Sequence, residues 1–317
     1  MKKAWMMAFL CFVCLLLAGC AASPVPNEAG EVEKLVDADA SRLPGDKQTY
    51  SLYFRLGSSA YLAAEEREVT VERNETLEAA LIRQLLAGPS ATRTALTPLF
   101  PKGTELIAVS RQGDVLFVTF NEAFLSGYGA EKGPLSGEKK TQAIRAERQM
   151  CLDALTATLT DAGTCSRVQV LIHRVKLQGN SLRLEEDYLL QNGSGLPLET
   201  WVRREESLYT PHNAARHMLT LWMNHNFSGL MGCVSSQGKL SGQMMLEAME
   251  NSPALTGFSL GHGQVSANGL KAVIGADLFL HLNGNDWTVK GWPLTLEREG
   301  GVWKISWESL SSMMAEE

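Results

Sequence analysis

Two lysines followed by an unbroken apolar run, Ala4 to Ala18, set the first condition on any fold of this chain. As a helix the run spans roughly 22 Å at ~1.5 Å per residue. A bilayer core needs about 20 residues, so the run is short for a membrane-spanning helix. A positive start, a brief apolar stretch and small residues at its end make a secretory signal. Such a segment leaves the mature protein. Residues 1–19 are therefore expected to contribute nothing to a core, and the remainder is expected to fold outside the cytoplasm.

Leu17-Ala18-Gly19-Cys20 closes the run and resembles the lipobox of bacterial lipoproteins. The resemblance implies a diacylglycerol on the Cys20 thiol, cleavage before Cys20, and an acylated (palmitate-type) anchor on the extracytoplasmic face of the cell membrane. Several acyl chains hold far better than one, since each buried CH₂ contributes ~0.8 kcal/mol. The competing reading is an ordinary signal peptide with a chance cysteine.

Residues 20–48 are rich in Ala, Pro and acidic side chains and lack apolar periodicity, as a flexible tether would. Asp37 and Asp39 fall there, where no catalytic pair of carboxylates could be held. The net charge of −6 gives no basic face for nucleic acid. A length of 317 residues suggests two domains beyond the tether. Cys11 and Cys14 leave with the signal. Cys151, Cys165 and Cys233 are too few for a disulfide framework. They are expected as three buried thiols, with a Cys151–Cys165 bridge as the less favoured alternative.

The first folded segment is expected from Tyr50 to about residue 195, in the order β, β, α, β, β, α, β. Tyr50–Leu56 is strand-like. Asn74 or Thr76 can cap a helix that Gly88 and Pro89 end. Glu105–Ser110 and Val115–Phe120 form a hairpin, whose second strand is apolar on both faces and so central. Residues 126–140 read as an exposed loop. Thr141–Asp161 is a helix with Ile144, Cys151, Leu152, Leu155 and Leu159 inward. Arg167–Val175 is a strand, Gln178-Gly-Asn180 a turn, and Leu182–Leu190 a further strand. Helices are expected on one face of a small mixed sheet, an α+β layer.

Several pieces of this segment occur in a telling order: Leu52-Tyr53-Phe54, Arg67-Glu-Val69, Ala79-Ala80-Leu81, Leu85-Leu86-Ala87-Gly88-Pro89, Pro101-Lys-Gly103-Thr104, the hairpin to Phe124, and Val168-Gln169-Val170. Together they resemble the GerMN domain of spore-germination proteins. Residues 127–140 look longer than is usual in that family, and Thr164-Cys165 replaces a common glycine-valine pair. The resemblance implies an envelope module of sporulation, germination or cell-wall processes that contacts envelope proteins or copies of itself. It brings no catalytic residue.

The second folded segment is expected over residues 207–317. Pro211 opens a helix to about Asn224, and Met244–Glu250 is another. Gly257–Val265, Leu270–Leu282, Asp286–Glu297 and Gly301–Leu310 read as strands. Helices followed by a meander ending in Gly301-Val-Trp303-Lys-Ile305-Ser-Trp307 resemble the nuclear-transport-factor-like cone, a curved antiparallel sheet wrapped around a helix.

Candidate chemistry is sparse. Trp287, Trp292, Trp303 and Trp307 would either line a ligand pocket in such a cone or fill its core. His212, His217 and His225 do not share one helix face at metal-ligand spacing. Gly261-His262-Gly263 reads as a bulge before it reads as a site. Cys233 has no evident partner base. No nucleophile elbow, Walker loop or Cys-x-x-Cys occurs, so no cofactor is implied. A non-catalytic binding or assembly module is the preferred reading. A small-ligand receptor using the C-terminal cavity follows, and then an envelope hydrolase with His262 or Asp277.

Overall fold

The structure, a computed structural model, describes residues 47–174, 181–189, 193–236 and 242–315. The export signal, Cys20, nearly all of the tether and the turn at Gln178-Gly-Asn180 lie outside the described residues. No helix among those described is long and apolar enough to cross a membrane.

Strand β1 (Lys47–Leu56) starts three residues before Tyr50 and pairs antiparallel with β2 (Leu62–Thr70). Helix α1 (Leu77–Ala87) begins where the Thr76 side chain accepts the Ala79 N–H. It stops at Gly88, whose φ of 85° favours glycine. A two-residue strand β3 (Leu96–Thr97) then joins the other edge of β1. Next come β4 (Leu106–Gln112) and β5 (Val115–Asn121), paired in a hairpin. Helix α2 (Gly129–Lys132) and the 25-residue α3 (Gly137–Asp161) lead to β6 (Arg167–His173), which runs parallel to β5. A parallel pair needs such a crossover. Strands β7 (Ser181–Arg183) and β8 (Trp201–Val202) both add to β6.

The α+β class holds, but the helices do not cover one sheet. There are two, ordered β2-β1-β3 and β4-β5-β6-β7 with β8 on β6. The physical reason is α3. From Met150 to Leu159 every side chain is buried, because the helix packs against both β1 and β6. Thr158 Oγ1 accepts the Tyr53 N–H at 3.1 Å, occupying a β1 backbone donor that a neighbouring strand would otherwise take.

Three further expectations fail here. Residues 126–140 are not all exposed loop: they hold α2 and the first turn of α3, and Tyr128 is buried. Leu182–Leu190 is not one strand, since β7 ends at Arg183 and Glu186–Tyr188 is a 3-10 turn. Ile144 is only half-buried, above the point where α3 enters the core.

The C-terminal half opens with α4 (Pro211–Met223), capped by Thr210 with Pro211 in its first turn. Two short helices follow, α5 (Phe227–Gly232) and α6 (Gly242–Glu250). Then β9 (Ala254–Val265), β10 (Lys271–Leu282), β11 (Asn285–Glu299) and β12 (Val302–Ile305) form an antiparallel meander in the order β12-β11-β10-β9. Ala272, Ile274, Ala276, Leu278 and Leu280 face inward and are buried, while Val273 and Phe279 face out. On β11 the inward row changes parity, from Trp287 and Val289 to Trp292, Leu294 and Leu296. A bulge opposite Asp277 allows this. Gly291 supplies a φ of 62° there and donates its N–H to Asp277 Oδ1 at 2.7 Å. The expected strand to Leu310 ends early: Ser306 caps a helix α7 (Trp307–Met314) instead.

The described residues belong to one compact unit. Leu62 and Leu208 form a parallel bridge, with the Tyr209 N–H donated to Leu62 O at 2.7 Å. Arg298 reaches Glu66 at 3.4 Å.

Candidate functional site

The sequence pieces that carry the GerMN resemblance make backbone ties and no reactive centre. Arg67 donates from Nε and Nη2 to Glu65 Oε1 at 3.0 and 2.7 Å, and from Nη2 to Gly88 O at 3.0 Å. Glu65 Oε2 accepts the Ser90 N–H at 3.1 Å. The clasp joins β2 to the chain leaving α1 around Gly88-Pro89. At Pro101-Lys-Gly103-Thr104, the Thr104 hydroxyl donates to Pro101 O at 2.8 Å and Asn121 Nδ2 to Gly103 O at 3.0 Å. The turn thereby fixes the start of β4 against the end of β5.

Beyond β5 the chain enters an aromatic nest. Phe120 and Phe124 stack with centroids 4.8 Å apart, and Phe124 stacks on Tyr188 at 5.5 Å. The Tyr128 and Tyr188 hydroxyls hydrogen-bond to each other, and Tyr128 donates to Phe124 O. Burial holds both phenols well above the usual tyrosine range. Cys151 lies alongside; burial raises its thiol too, and it donates to Leu99 O. A protonated, enclosed thiol is a poor nucleophile.

Arg148 of α3 crosses this nest. Its Nη1 donates to Tyr188 O at 2.9 Å and Nη2 to Leu125 O at 3.1 Å, and its guanidinium lies 4.9 Å from the Tyr188 ring centroid. Glu131 sits 3.7 Å from Nη2. Nε is buried and makes no hydrogen bond. Outside Arg148 a cleft of about 190 Å³ opens between the end of β6, β7 and the 3-10 turn. Arg174, Arg183, Glu185 and Asp187 line it together with Arg148. Ile172, Leu182, Leu184 and Tyr188 give it an apolar side. Sequence reasoning singled out none of these residues. The only signal was the alternation of leucine with charged residues in Leu182-Arg183-Leu184-Glu185.

The residues that were singled out do not converge. Trp303 is buried, and Trp287, Trp292 and Trp307 are partly buried against the same core. The apolar void of the C-terminal half measures about 10 Å³ and is lined by Trp222 with Leu294, Ile305 and Met313 among others, and by none of the four. That is room for about one water. Trp222 donates Nε1–H to Pro253 O at 3.2 Å. Trp307 opens α7 and so leaves the strand expected over Gly301–Leu310.

His217 lies between Tyr61 and Tyr209, at 5.5 and 6.1 Å between ring centroids, and burial holds its pKa below the usual histidine value. His225, past the end of α4, packs edge-on against Phe227. His212 lies in the first turn of α4. No group of three or more His, Cys, Asp or Glu among the described residues is placed to hold a metal ion. His262 is exposed, and the register of β9 against β10 shifts opposite Gly275, so Gly261-His262-Gly263 is a bulge. Asp277 accepts from Gly291 N–H and, at 3.4 Å, from the Ser259 hydroxyl. Of the three thiols only Cys151 is buried; Cys165 and Cys233 are half-buried, and all three are free. Cys165 follows the end of α3 at the surface, and Cys233 follows the short α5, which explains their exposure.

Residues 51–177 match the family described as Germane: Sporulation and spore germination. No curated protein matches the chain. Among solved structures, the tandem GerMN domains of the sporulation protein GerM from Bacillus subtilis align at 11% identity over 82% of this chain and 62% of that one, with a TM-score of 0.35. The chain thus spans about three fifths of that structure's length. The first GerMN domain of the same protein aligns at 14% identity, covering 50% of this chain and 98% of that one, with a TM-score of 0.31. A putative lipoprotein from Clostridium perfringens aligns at 23% identity, covering 40% and 74%, with a TM-score of 0.24. The assignment rests on the family match, whose span takes in the clasp, the Pro-x-Gly-Thr turn, the β4–β5 hairpin and β6. Over residues 51–177 the chain is similar to the Germane module of sporulation and spore germination proteins, and in that stretch it is GerMN-like.

Proposed function

We propose that this protein is an exported lipoprotein, held by acyl chains on Cys20 at the outer face of the cytoplasmic membrane, and that it works in sporulation or germination as a non-catalytic binding and assembly module. The observation that carries this reading is the Germane segment at residues 51–177 standing behind Leu17-Ala18-Gly19-Cys20. Its partners are envelope proteins or further copies of itself. The role needs no reactive group, and Arg67, Gly88 and the Pro101-Lys-Gly103-Thr104 turn, which belong to the pieces carrying the resemblance, serve backbone turns and ties.

The test has two arms. Mass spectrometry of the membrane fraction is expected to find a mature chain beginning at diacylated Cys20, and Cys20→Ala is expected to release it from the membrane. A strain lacking the gene is expected to lose spore yield or germination, restored by the wild-type chain and not by Cys20→Ala. An unprocessed, unmodified product inside the cell would end the anchoring claim. Normal spores from the deletion strain would end the role.

A further inference from the structure

We propose that β9 is an interface strand, and that its open edge pairs antiparallel with β9 of a second copy of this chain across a twofold axis. An unpaired sheet edge offers a row of backbone N–H and C=O groups to any other strand, and chains blunt such edges with charge, brevity or cover. Most edges here are blunted in one of these ways. β2 carries Glu65, Glu66, Arg67 and Glu68, and β4 carries Arg111. β3, β7 and β8 are only two or three residues long. β12 is covered, since the Ser235 N–H is donated to Ile305 O and the Ile305 N–H to Cys233 O. β9 lacks all three devices. It runs for 12 residues, Ala254–Val265, without Asp, Glu, Lys, Arg or Pro. Among the described residues it pairs with β10 alone, and no further backbone–backbone hydrogen bond reaches it.

The residues of β9 select a copy of itself. A strand meeting its own copy antiparallel sets its residues symmetrically about one position, and like charges so opposed repel. β9 brings no such charge. Its bulges, at Thr256 and Gly261-His262, leave Gly257–Leu260 in regular register with Ala276–Phe279. Phe258 lies opposite Leu278 and Leu260 opposite Ala276, so both share the inward face. A centre at Ser259 pairs Phe258 of one copy with Leu260 of the other on that face, twice over, and sets Gly257 beside Gly261. Burial points the same way. The inward row of β10, Ala272 to Leu280, is 0–3% exposed, whereas Phe258 and Leu260 are half-buried and Val265 is 53% exposed. On the outward face Phe279, 43% exposed, lies against Gly257, where a Cβ would stand 3.3 Å from its ring. A second β9 extends the sheet past all of these side chains.

The chain's own tether is a poorer occupant. Residues 20–48 bring Pro24, Pro26 and Pro44, each without a backbone N–H, and no alternating apolar run. Because β12 is covered, the pairing uses up the open edge of this four-stranded sheet in each copy. It closes as a dimer and does not grow into a fibre. The proposal rests on the assembly reading above and deepens it by naming the copy and the strand. Its readouts involve neither Cys20 nor spore yield, so the failure of one is told apart from the failure of the other.

The experiment joins oxidative cross-linking to sedimentation of the full-length chain in detergent micelles. Ser259→Cys is expected to form an interchain disulfide, because directly opposed Cα atoms stand about 4.5–5.5 Å apart, within the reach of a bridge. Gln264→Cys, on the same outward face, would lie roughly 30 Å from its counterpart at ~3.3 Å per residue. It is expected to give no cross-link, like the parent chain with its own thiols. In sedimentation the parent is expected at twice the protein mass of Ser259→Lys, in which two lysines would oppose each other. An equimolar mixture of Ser259→Lys and Ser259→Glu is expected to restore the dimer. Ser259 is exposed, so both variants should fold, as circular dichroism would check. A monomeric parent chain overturns the proposal, whichever segment then holds the edge. So does a Ser259→Lys chain that stays dimeric, or a Gln264→Cys chain that cross-links as fully as Ser259→Cys.

Discussion

At 3% exposure the Glu65 carboxylate has exchanged water for two guanidinium donors and one backbone N–H. Burial alone would raise its pKa, but the hydrogen bonds from Arg67 and Ser90 outweigh burial and lower it. Arg67→Ala should therefore cost about 3 kcal/mol in denaturant unfolding, because it strands a buried charge. A loss below about 1 kcal/mol would show that the clasp is ornamental. Glu299 supplies a pH test. Burial raises its pKa, yet hydrogen bonds from Ser236 and Ser235, with Lys304 nearby, bring the carboxyl down to about 2. A depressed carboxyl stabilises the fold above its ordinary value of 4.5, and that contribution fades as pH falls to about 2. The difference in midpoint between wild type and Glu299→Gln should thus be full at neutral pH and shrink between those limits. A difference that stays constant down to the acid limit would refute the assignment. Neither residue was legible beforehand. Ala63-Ala-Glu65-Glu66-Arg67-Glu68 reads as a solvated strand, and alternation puts Glu65 and Arg67 on one face without saying that the chain after Pro89 crosses it. The cleft was hidden for the same reason, since Arg148, Arg174 and Arg183 come from three separate elements.

Most elements could be read where one periodicity stood alone. The β4–β5 hairpin, α1 with its glycine stop, α4 with Pro211, and the meander all fell near their expected places. The errors fell where two patterns coexist. Trp303, Ile305 and Trp307 alternate as a strand does, but Trp307, Leu310, Met313 and Met314 also repeat as a helix does. Ser306 decides for the helix by accepting the Ser309 N–H at 3.1 Å. Around Gly129 and Gly133 the glycines suggested loop, yet Tyr128 needed a buried partner for its hydroxyl and found Tyr188. Turn glycines give a prediction with a built-in control. Gly113 and Gly301 both have positive φ, 62° and 87°. A Cβ at Gly113 would meet nothing within 4 Å, whereas at Gly301 it would stand 2.5 Å from Ala64 O. Gly113→Ala should cost only the backbone strain, about 1–2 kcal/mol. Gly301→Ala should cost clearly more, because β2 must move. Equal losses in thermal unfolding would mean that the β11–β12 turn does not rest on β2.

That contact raises the question of how the two halves of the chain unfold. Their strands belong to separate sheets, which by itself would allow separate melting. Four kinds of contact oppose this. Leu62 pairs with Leu208 through backbone, with Tyr209 N–H bound to Leu62 O. Tyr61, Tyr209 and His217 pack edge to face. Arg298 pairs with Glu66, and Gly301 presses on Ala64. The aromatic group is the strongest of these, since such pairs add about 0.5–1.5 kcal/mol beyond their buried area, whereas the half-exposed ion pair adds less than about 1 kcal/mol. Burial also keeps His217 largely neutral. Below the ordinary histidine value of 6.5 the unfolded chain takes up a proton that the folded chain resists, so stability falls as pH drops through that region. Calorimetry at neutral pH should accordingly show one cooperative transition, with equal calorimetric and van't Hoff enthalpies. His217→Phe should keep the single transition and remove the part of the acid sensitivity that begins near pH 6.5. Tyr209→Ala should strip the aromatic contact and separate the melting of the two halves. Two transitions in the wild-type protein, or a Tyr209→Ala profile as sharp as the parent's, would show that the halves stand together without stabilising each other.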